Sequence, residues 1–405
     1  MSLPSLPEIE AAAQTVYAAF GPTPQYRWAT LSERLGTDCW VKHENHTPVG
    51  AFKVRGGLTY FAHLLRQGAL PREVVSATRG NHGQSMAYAA ARHGVACTIV
   101  VPEGNSVEKN RAMRALGATL IEHGHDFQAA REHAQALAAE RGAHMVPSYH
   151  PALVQGVATY WWELLRAVPQ LDVLYVPIGL GSGACAALAA KQALGHTVRV
   201  VGVVSAHATT YADSIAAGRV VEAPVSTQLA DGMAVRRADA EPLAHLSAGL
   251  DHLVQVTDDQ VAQAMRDLYT DTHNVAEGAG AASFAAAWAE REQLRGLVVG
   301  TTLCGGNVDA GGVDASAQRH RALTPTGTPR RQPRARRSHP GQNRASARPR
   351  IRPTQERNAW ERCIWSATVR PRLGPTTTTS SAHWGMSRGC AWAVTGCAPA
   401  LCPTR

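Results

Sequence analysis

The stretch Val173-Leu-Tyr-Val-Pro-Ile-Gly-Leu-Gly-Ser-Gly-Ala-Cys-Ala-Ala-Leu-Ala-Ala-Lys-Gln-Ala-Leu194 decides the fold class. Its first six residues are apolar and do not alternate with polar ones, as in a strand covered on both faces. Glycines at 179, 181 and 183 then turn the chain. An Ala-rich segment of helical length, 184–194, follows and stops at Gly195. Strand, glycine turn and helix in this order make half of a parallel βαβ unit.

The same alternation runs outward in both directions. Apolar, β-branched runs stand at 74–78, 97–101, 119–122, 198–204, 253–257 and 297–303. Helical segments stand at 84–93, 107–116, 127–140, 153–167, 259–269 and 278–291. Gly94, Gly117 and Gly142 close helical segments as Gly195 does. Ser5 with Glu8, and Pro7 in the first turn, open an N-terminal helix. The expectation is an α/β chain of open parallel sheets with helices on both faces.

The chain has 405 residues, enough for two domains and an appendage. Its net charge of +9 conceals two regions of opposite sign. Residues 315–405 hold 17 Arg, no Lys and 2 Glu, a net of +15. The preceding 314 residues hold 23 basic and 29 acidic side chains, a net of −6. An acidic body is not a nucleic-acid-binding globule, although the basic tail keeps that possibility. The tail is rich in Arg, Pro, Ser and Thr without apolar period, so disorder is expected there. An Arg-only tail with isolated Trp and Cys also has the look of a shifted reading frame. No secretory signal and no membrane-length apolar run are found. Cys39, Cys97, Cys185 and Cys304 are scattered singly, as in a reducing, cytoplasmic setting. Cys363, Cys390, Cys397 and Cys402 form no C-x-x-C pair. His43 with His46, and His123 with His125, lack completing ligands, so no metal is expected.

Four stretches carry chemistry. In His43-Glu-Asn-His-Thr-Pro-Val-Gly-Ala-Phe-Lys-Val-Arg-Gly-Gly57, Lys53 lies among small and apolar residues. Burial there lowers the pKa of an amine and makes it nucleophilic, as a Schiff-base lysine needs. An ordinary surface lysine on a loop is the other reading. Ser76-Ala-Thr-Arg-Gly-Asn-His-Gly-Gln84 joins a strand to a helix, where backbone N–H groups meet an anion. A capped turn is the bland alternative. The turn at 179–183 suits a phosphate, yet it lacks G-x-G-x-x-G and the P-loop Lys, so it is no dinucleotide fingerprint or P-loop. Thr301-Thr-Leu-Cys-Gly-Gly-Asn307 puts Cys304 at a strand's C-terminal edge, where parallel sheets bind ligands. A buried structural cysteine is the alternative.

Together and in this order, these segments resemble the fold-type II pyridoxal-phosphate (PLP) enzymes, whose fold is like that of the tryptophan synthase β chain. Within them the resemblance is nearest to the threonine/serine dehydratases, in a short form with no regulatory module following. Further matching stretches are Thr23-Pro24, Leu31-Ser-Glu-Arg-Leu-Gly36, Val101-Pro102 through Lys109, Leu116-Gly-Ala118, Gly156-Val-Ala-Thr159, Leu229-Ala-Asp-Gly-Met-Ala234 and Ala276-Glu-Gly-Ala-Gly-Ala281. They cover nearly all of 20–310 and none of the tail.

The resemblance implies a role for each matching residue. Lys53 would bind PLP covalently and act as the catalytic base, and Phe52 would pack against the cofactor. Asn81 would bond the ring's phenolic oxygen. Gly179, Leu180, Gly181, Ser182 and Gly183 would hold the phosphate. Cys304 would face the pyridine nitrogen. Glu277 would stand near the ring, with a surface salt bridge as its other reading. Thr78, Arg79, Gly80, Asn81 and His82 would hold the substrate carboxylate. The implied reaction is β-elimination of water from a hydroxyamino acid such as L-threonine or L-serine, giving a 2-oxo acid and ammonia.

Departures from the family pattern qualify this. Ala51 stands where Ser is common. Leu180 and Ser182 replace usual glycines, which backbone binding tolerates. Val204 stands where racemase-like relatives place a metal-binding Glu, so no divalent site is expected. Arg79 occupies the position of the second-face serine base of serine racemases. A permanently charged guanidinium is a poor proton acceptor, which disfavours racemisation. Pairing of Arg79 with a second carboxylate would point toward 3-hydroxyaspartate, and an Arg facing solvent or a neighbouring acid is the bland reading. The alternative function is another PLP β-elimination or β-replacement, or racemisation, for example 3-hydroxyaspartate dehydratase. A small domain at 54–148, inserted into a large one of 1–53 and 149–314, is expected to share the pocket with it. A homodimer is the default.

Overall fold

Apolar runs and Ala-rich segments condense into alternating strands and helices. The structure is a computed structural model that describes residues 2–311. The tail expected at 315–405, with its cysteines, lies outside the described residues. The N-terminal half runs α1 (Leu6–Tyr17), β1 (Gln25–Arg27), α2 (Ala29–Leu35), β2 (Asp38–His43), α3 (Lys53–Arg66), β3 (Glu73–Ala77), α4 (Asn81–Arg92), β4 (Ala96–Val101), α5 (Val107–Ala115), β5 (Thr119–Glu122), α6 (Phe127–Arg141) and β6 (His144–Met145). It continues with α7 (Pro151–Ala167), β7 (Val173–Pro177), α8 (Ser182–Leu194), β8 (Arg199–Ser205), α9 (Thr210–Ala217), α10 (Ala240–Gly249), β9 (Leu253–Val256), α11 (Asp258–Thr272), α12 (Gly278–Ala289) and β10 (Val298–Leu303). Among the described residues no helix is long and apolar enough to cross a membrane.

Two sheets form the two parallel-sheet domains. One has the order β1-β2-β10-β7-β8-β9 and the other β5-β4-β3-β6. Every ladder is parallel except β1–β2, an antiparallel pair at the edge. The central strand β7 is buried over Val173–Val176, as its unbroken apolar run requires. All four predicted glycine stops have positive φ, between 59° at Gly195 and 91° at Gly117. Glu8 accepts the Ser5 backbone N–H at 2.8 Å, closing α1 as its sequence predicts.

The sequence does not announce β1, β2, β6, α2, α3, α9 or α10. β1 and β6 are too short to express a period. β2 hides its apolar face between Asp38 and Lys42. α3 carries Gly56 and Gly57 in its interior, against helix propensity. Packing explains them. A Cβ on Gly56 would lie 2.8 Å from the Leu153 carbonyl oxygen, and one on Gly156 2.2 Å from that of Arg55. The backbones of α3 and α7 therefore touch, and only glycine permits it.

Beneath that crossing lies a buried charge network. Arg55 is fully buried. Its guanidinium donates to Glu44 at 2.8 and 3.0 Å and to Glu163 at 2.6 and 3.1 Å. Lys42 donates to Glu163 at 2.6 Å and to the Thr23 carbonyl at 2.7 Å. Thr23 and Tyr17 hydroxyls donate to Glu44 and Glu163 at 2.6 and 3.0 Å. Two cations face two carboxylates. Burial raises the Glu163 carboxyl, but Arg55 and Lys42 outweigh it and hold the group below the usual carboxylate range. Burial alone lowers Lys42 more than Glu163 and Glu44 restore.

Removing one member leaves an opposite charge buried and unpaired. Arg55→Met is expected to lower stability by about 3–5 kcal/mol, read from urea denaturation midpoints. A loss under about 1 kcal/mol would show that the network is dispensable.

Candidate active site

Lys53 is the first residue of α3, and the turn before it is sewn to the end of β10. Phe52 N–H donates to the Cys304 carbonyl at 3.0 Å, and Gly306 N–H to that of Gly50 at 2.9 Å. Gly50 takes φ +67°, and a Cβ there would sit 2.9 Å from Asn307 Oδ1. This stitching aims the amine into a cavity at the C-terminal edges of both sheets. Lys53 Nζ donates to Ser182 Oγ at 3.1 Å and lies 5.0 Å from the Phe52 ring centre. Burial lowers its pKa to about 8, slightly opposed by Cys304. An exposed loop lysine is therefore not what Lys53 is.

Across the cavity, β7 ends and the glycine turn begins. Gly181 has φ +93°, the left-handed region, and caps α8. A Cβ on Gly179 would lie 2.4 Å from the Gly232 carbonyl oxygen, and one on Gly181 2.7 Å from Pro242. The first-turn N–H groups of α8 have no partner in their own helix and point to the cavity wall. The Leu180 carbonyl accepts from Tyr211 Oη at 3.1 Å, which anchors the turn whatever the side chain.

The helix α4 starts at Asn81, three residues before the start expected from sequence. Asn81 Nδ2 donates to Glu277 Oε1 at 2.6 Å, while Asn307 Nδ2 donates to Asn81 Oδ1 at 2.8 Å. Glu277 is buried, which rules out the surface salt-bridge reading. Burial lifts its carboxyl to about 7 against the pull of Lys109. Lys109 Nζ donates to Asp231 Oδ2 at 2.6 Å and stands 3.7 Å from Glu277 Oε2. Thr78 Oγ1 accepts from the Gly80 N–H at 3.0 Å, shaping the turn. His82 is buried with Nε2 unpartnered, and burial, then Lys53, lowers its pKa to about 3. It is a neutral imidazole. Burial raises the Cys304 thiol far above the usual thiol range, so it stays protonated.

Thr78, Arg79, Gly80, Asn81 and His82, with Phe52, Lys53, residues 179–183, Glu277 and Cys304, all line this one cavity. Sequence reading gave no role to Lys109 and Asp231, which line the cavity, or to Asn307, which holds Asn81 from behind it, although all three stand in stretches it singled out. A lysine in a body that has only four was the available signal for Lys109. The pairs His43–His46 and His123–His133 stack ring on ring, and no group of three or more His, Cys, Asp or Glu fit for a metal occurs among the described residues.

Residues 16–305 match the family model for pyridoxal-phosphate dependent enzymes. The L-threonine ammonia-lyase of Geobacter sulfurreducens is 35% identical over 292 residues, covering 71% of this chain and 72% of that protein. The biosynthetic L-threonine dehydratase of Salmonella typhimurium is 32% identical over 307 residues, 75% of this chain. The chain spans only 60% of that relative's length. The processed form of threonine deaminase isoform 2 from Solanum lycopersicum superposes with a TM-score of 0.71 at 25% identity, over 78% of this chain and 94% of the other. The family model covers most of the chain, and the relatives agree with it: the chain belongs to the pyridoxal-phosphate dependent enzyme family.

Proposed function

We propose that the protein is a lyase that eliminates water from a hydroxyamino acid of the threonine or serine type, releasing a 2-oxo acid and ammonia. The observation that carries this reading is a part-buried lysine of lowered pKa whose Nζ lies 3.1 Å from Ser182 in the glycine turn. The cavity suits PLP. Gly179 and Gly181 form a cradle in which no Cβ fits, and backbone N–H groups alone face a phosphate. Bound there, the cofactor would supply an aldehyde for the substrate amine and a ring that spreads charge developing at Cα.

The chain's own groups would do the rest. Lys53 Nζ is the base for the Cα proton, since a pKa near neutrality serves proton transfer in both directions. Amides at the start of α4 would hold the α-carboxylate. Asn81, fixed by Glu277 and Asn307, keeps a second amide proton for the ring's phenolic oxygen. The neutral Cys304 thiol supports a ring nitrogen left unprotonated. The β-hydroxyl leaves as water, and the released enamine hydrolyses to a 2-oxo acid. Threonine gives 2-oxobutanoate and serine gives pyruvate. The guanidinium of Arg79 accepts no proton, which argues against racemisation.

On this reading the smaller domain spans 54–148, and the larger joins 1–53 to 149–314. The four cysteines of the described residues are free and buried, which supports a reducing, cytoplasmic location. Assembly as a homodimer is proposed from the default for such chains.

Lys53→Ala should remove the visible absorbance of bound cofactor and lower 2-oxobutanoate formation from L-threonine by about 10³-fold or more. Full activity in that variant would end the lyase reading. A lowered amine pKa also sets a pH profile for cofactor capture. Below about 8 the free amine fraction, and with it the capture rate, should fall about tenfold per pH unit; above 8 it should level off. Stopped-flow mixing of apoprotein with PLP from pH 6.5 to 10.5 checks this, and a midpoint near the ordinary lysine value would contradict it.

A further inference from the structure

Arg79 lines the cavity and makes no hydrogen bond or ion pair among the described residues, and its Nε is buried without a partner. The other permanent cation there, Lys109, is matched by Asp231 and Glu277. Lys53 has the Ser182 hydroxyl. The cavity lining thus offers three kinds of anion-binding group: the N-terminus of α8, the N-terminus of α4, and the fork of Arg79, which stands one residue before the α4 N-cap Gly80. A cofactor phosphate and one α-carboxylate occupy two of them. Arg79 is part-buried as a residue, but its Nε donor is buried without a partner, and an unpaired buried donor is costly, so a ligand acceptor is wanted there.

We infer that Arg79 is a specificity residue that binds a second acidic group on the substrate, making the preferred substrate a β-hydroxyamino acid with a side-chain carboxylate, such as 3-hydroxyaspartate. This rests on the lyase reading for its chemistry but not for its binding geometry. The planar fork of Arg79 matches a carboxylate with two parallel hydrogen bonds, which a lysine does not reproduce. A methyl or hydrogen at the same place, as in threonine or serine, leaves those donors unpaired, and sites built this way discriminate strongly.

The PLP-loaded protein titrated by calorimetry with L-aspartate and with L-alanine tests the anchor without turnover. Wild type is expected to prefer aspartate. In Arg79→Gln that preference should fall by about 30-fold or more, and Arg79→Lys should restore part of it. Equal weakening for both amino acids would assign Arg79 to the α-carboxylate. Weakened PLP affinity would assign it to the phosphate. Either result overturns the inference, as does a wild type without preference. Turnover separates the two readings. Elimination from 3-hydroxyaspartate at a higher kcat/KM than from threonine, lost in Arg79→Gln, supports both. Turnover of threonine with no aspartate preference sinks only this inference. Selective aspartate binding with no elimination from any hydroxyamino acid sinks only the lyase reading.

Discussion

The position of Lys53 depends on a guanidinium two residues away. Arg55 shares the first turn of α3 with Lys53, and its five donors are consumed by Glu44, Glu163, Thr23 and Thr159. Those partners come from the segment before β1, the turn after β2, and α7. One planar cation thus fixes the start of α3 against three other segments. Such a network adds little net stability over a well-packed apolar core, because desolvation offsets most of its attraction. Its effect is geometric. A side chain with a rigid fork accepts few alternative arrangements, and the start of α3 inherits that restriction.

The glycines act on the same part of the chain from the other side. Gly56 and Gly156 let α3 and α7 meet backbone to backbone, and a Cβ on Gly57 would lie 2.3 Å from Ser85 Oγ on α4. Ser85 in turn donates to the Lys53 carbonyl at 2.6 Å. Helix α3 is therefore built for close approach at the expense of its own propensity. Tertiary packing outweighs the local preference at the start of the helix that carries Lys53.

This conflict explains what was legible in the sequence. The runs that became β3, β4, β7, β8 and β10 are buried along nearly their whole length, so hydrophobicity alone marks them, while β5 and β9 at the sheet edges are only partly buried and show through their apolar and β-branched residues. The glycine turn after β7 and the turn before α4 could be read because ligand-binding loops need residue types rare elsewhere. Helix α3 could not, because its interior glycines say loop until α7 is in place. The partners of Lys109 and Arg55 stayed hidden for a different reason. Lys109 and Asp231 are 122 residues apart, and Arg55 and Glu163 are 108 apart. No local pattern encodes a pairing over such distances.

Burial gives the cavity its electrical character. It moves Lys53 down to about 8 and His82 to about 3, and moves Glu277 up to about 7. It also keeps the Cys304 thiol protonated. All four shifts favour the neutral form, the direction desolvation dictates for acids and bases alike. At neutral pH a pKa of about 8 still leaves most of Lys53 protonated, so the charges among the lining residues are Lys53, Arg79 and the Lys109–Asp231 pair, which nearly cancels. A site of this kind attracts anionic ligands without presenting a fixed counter-charge at the reacting centre. Its groups stay poised to exchange protons, and the charge that orders them arrives with what binds.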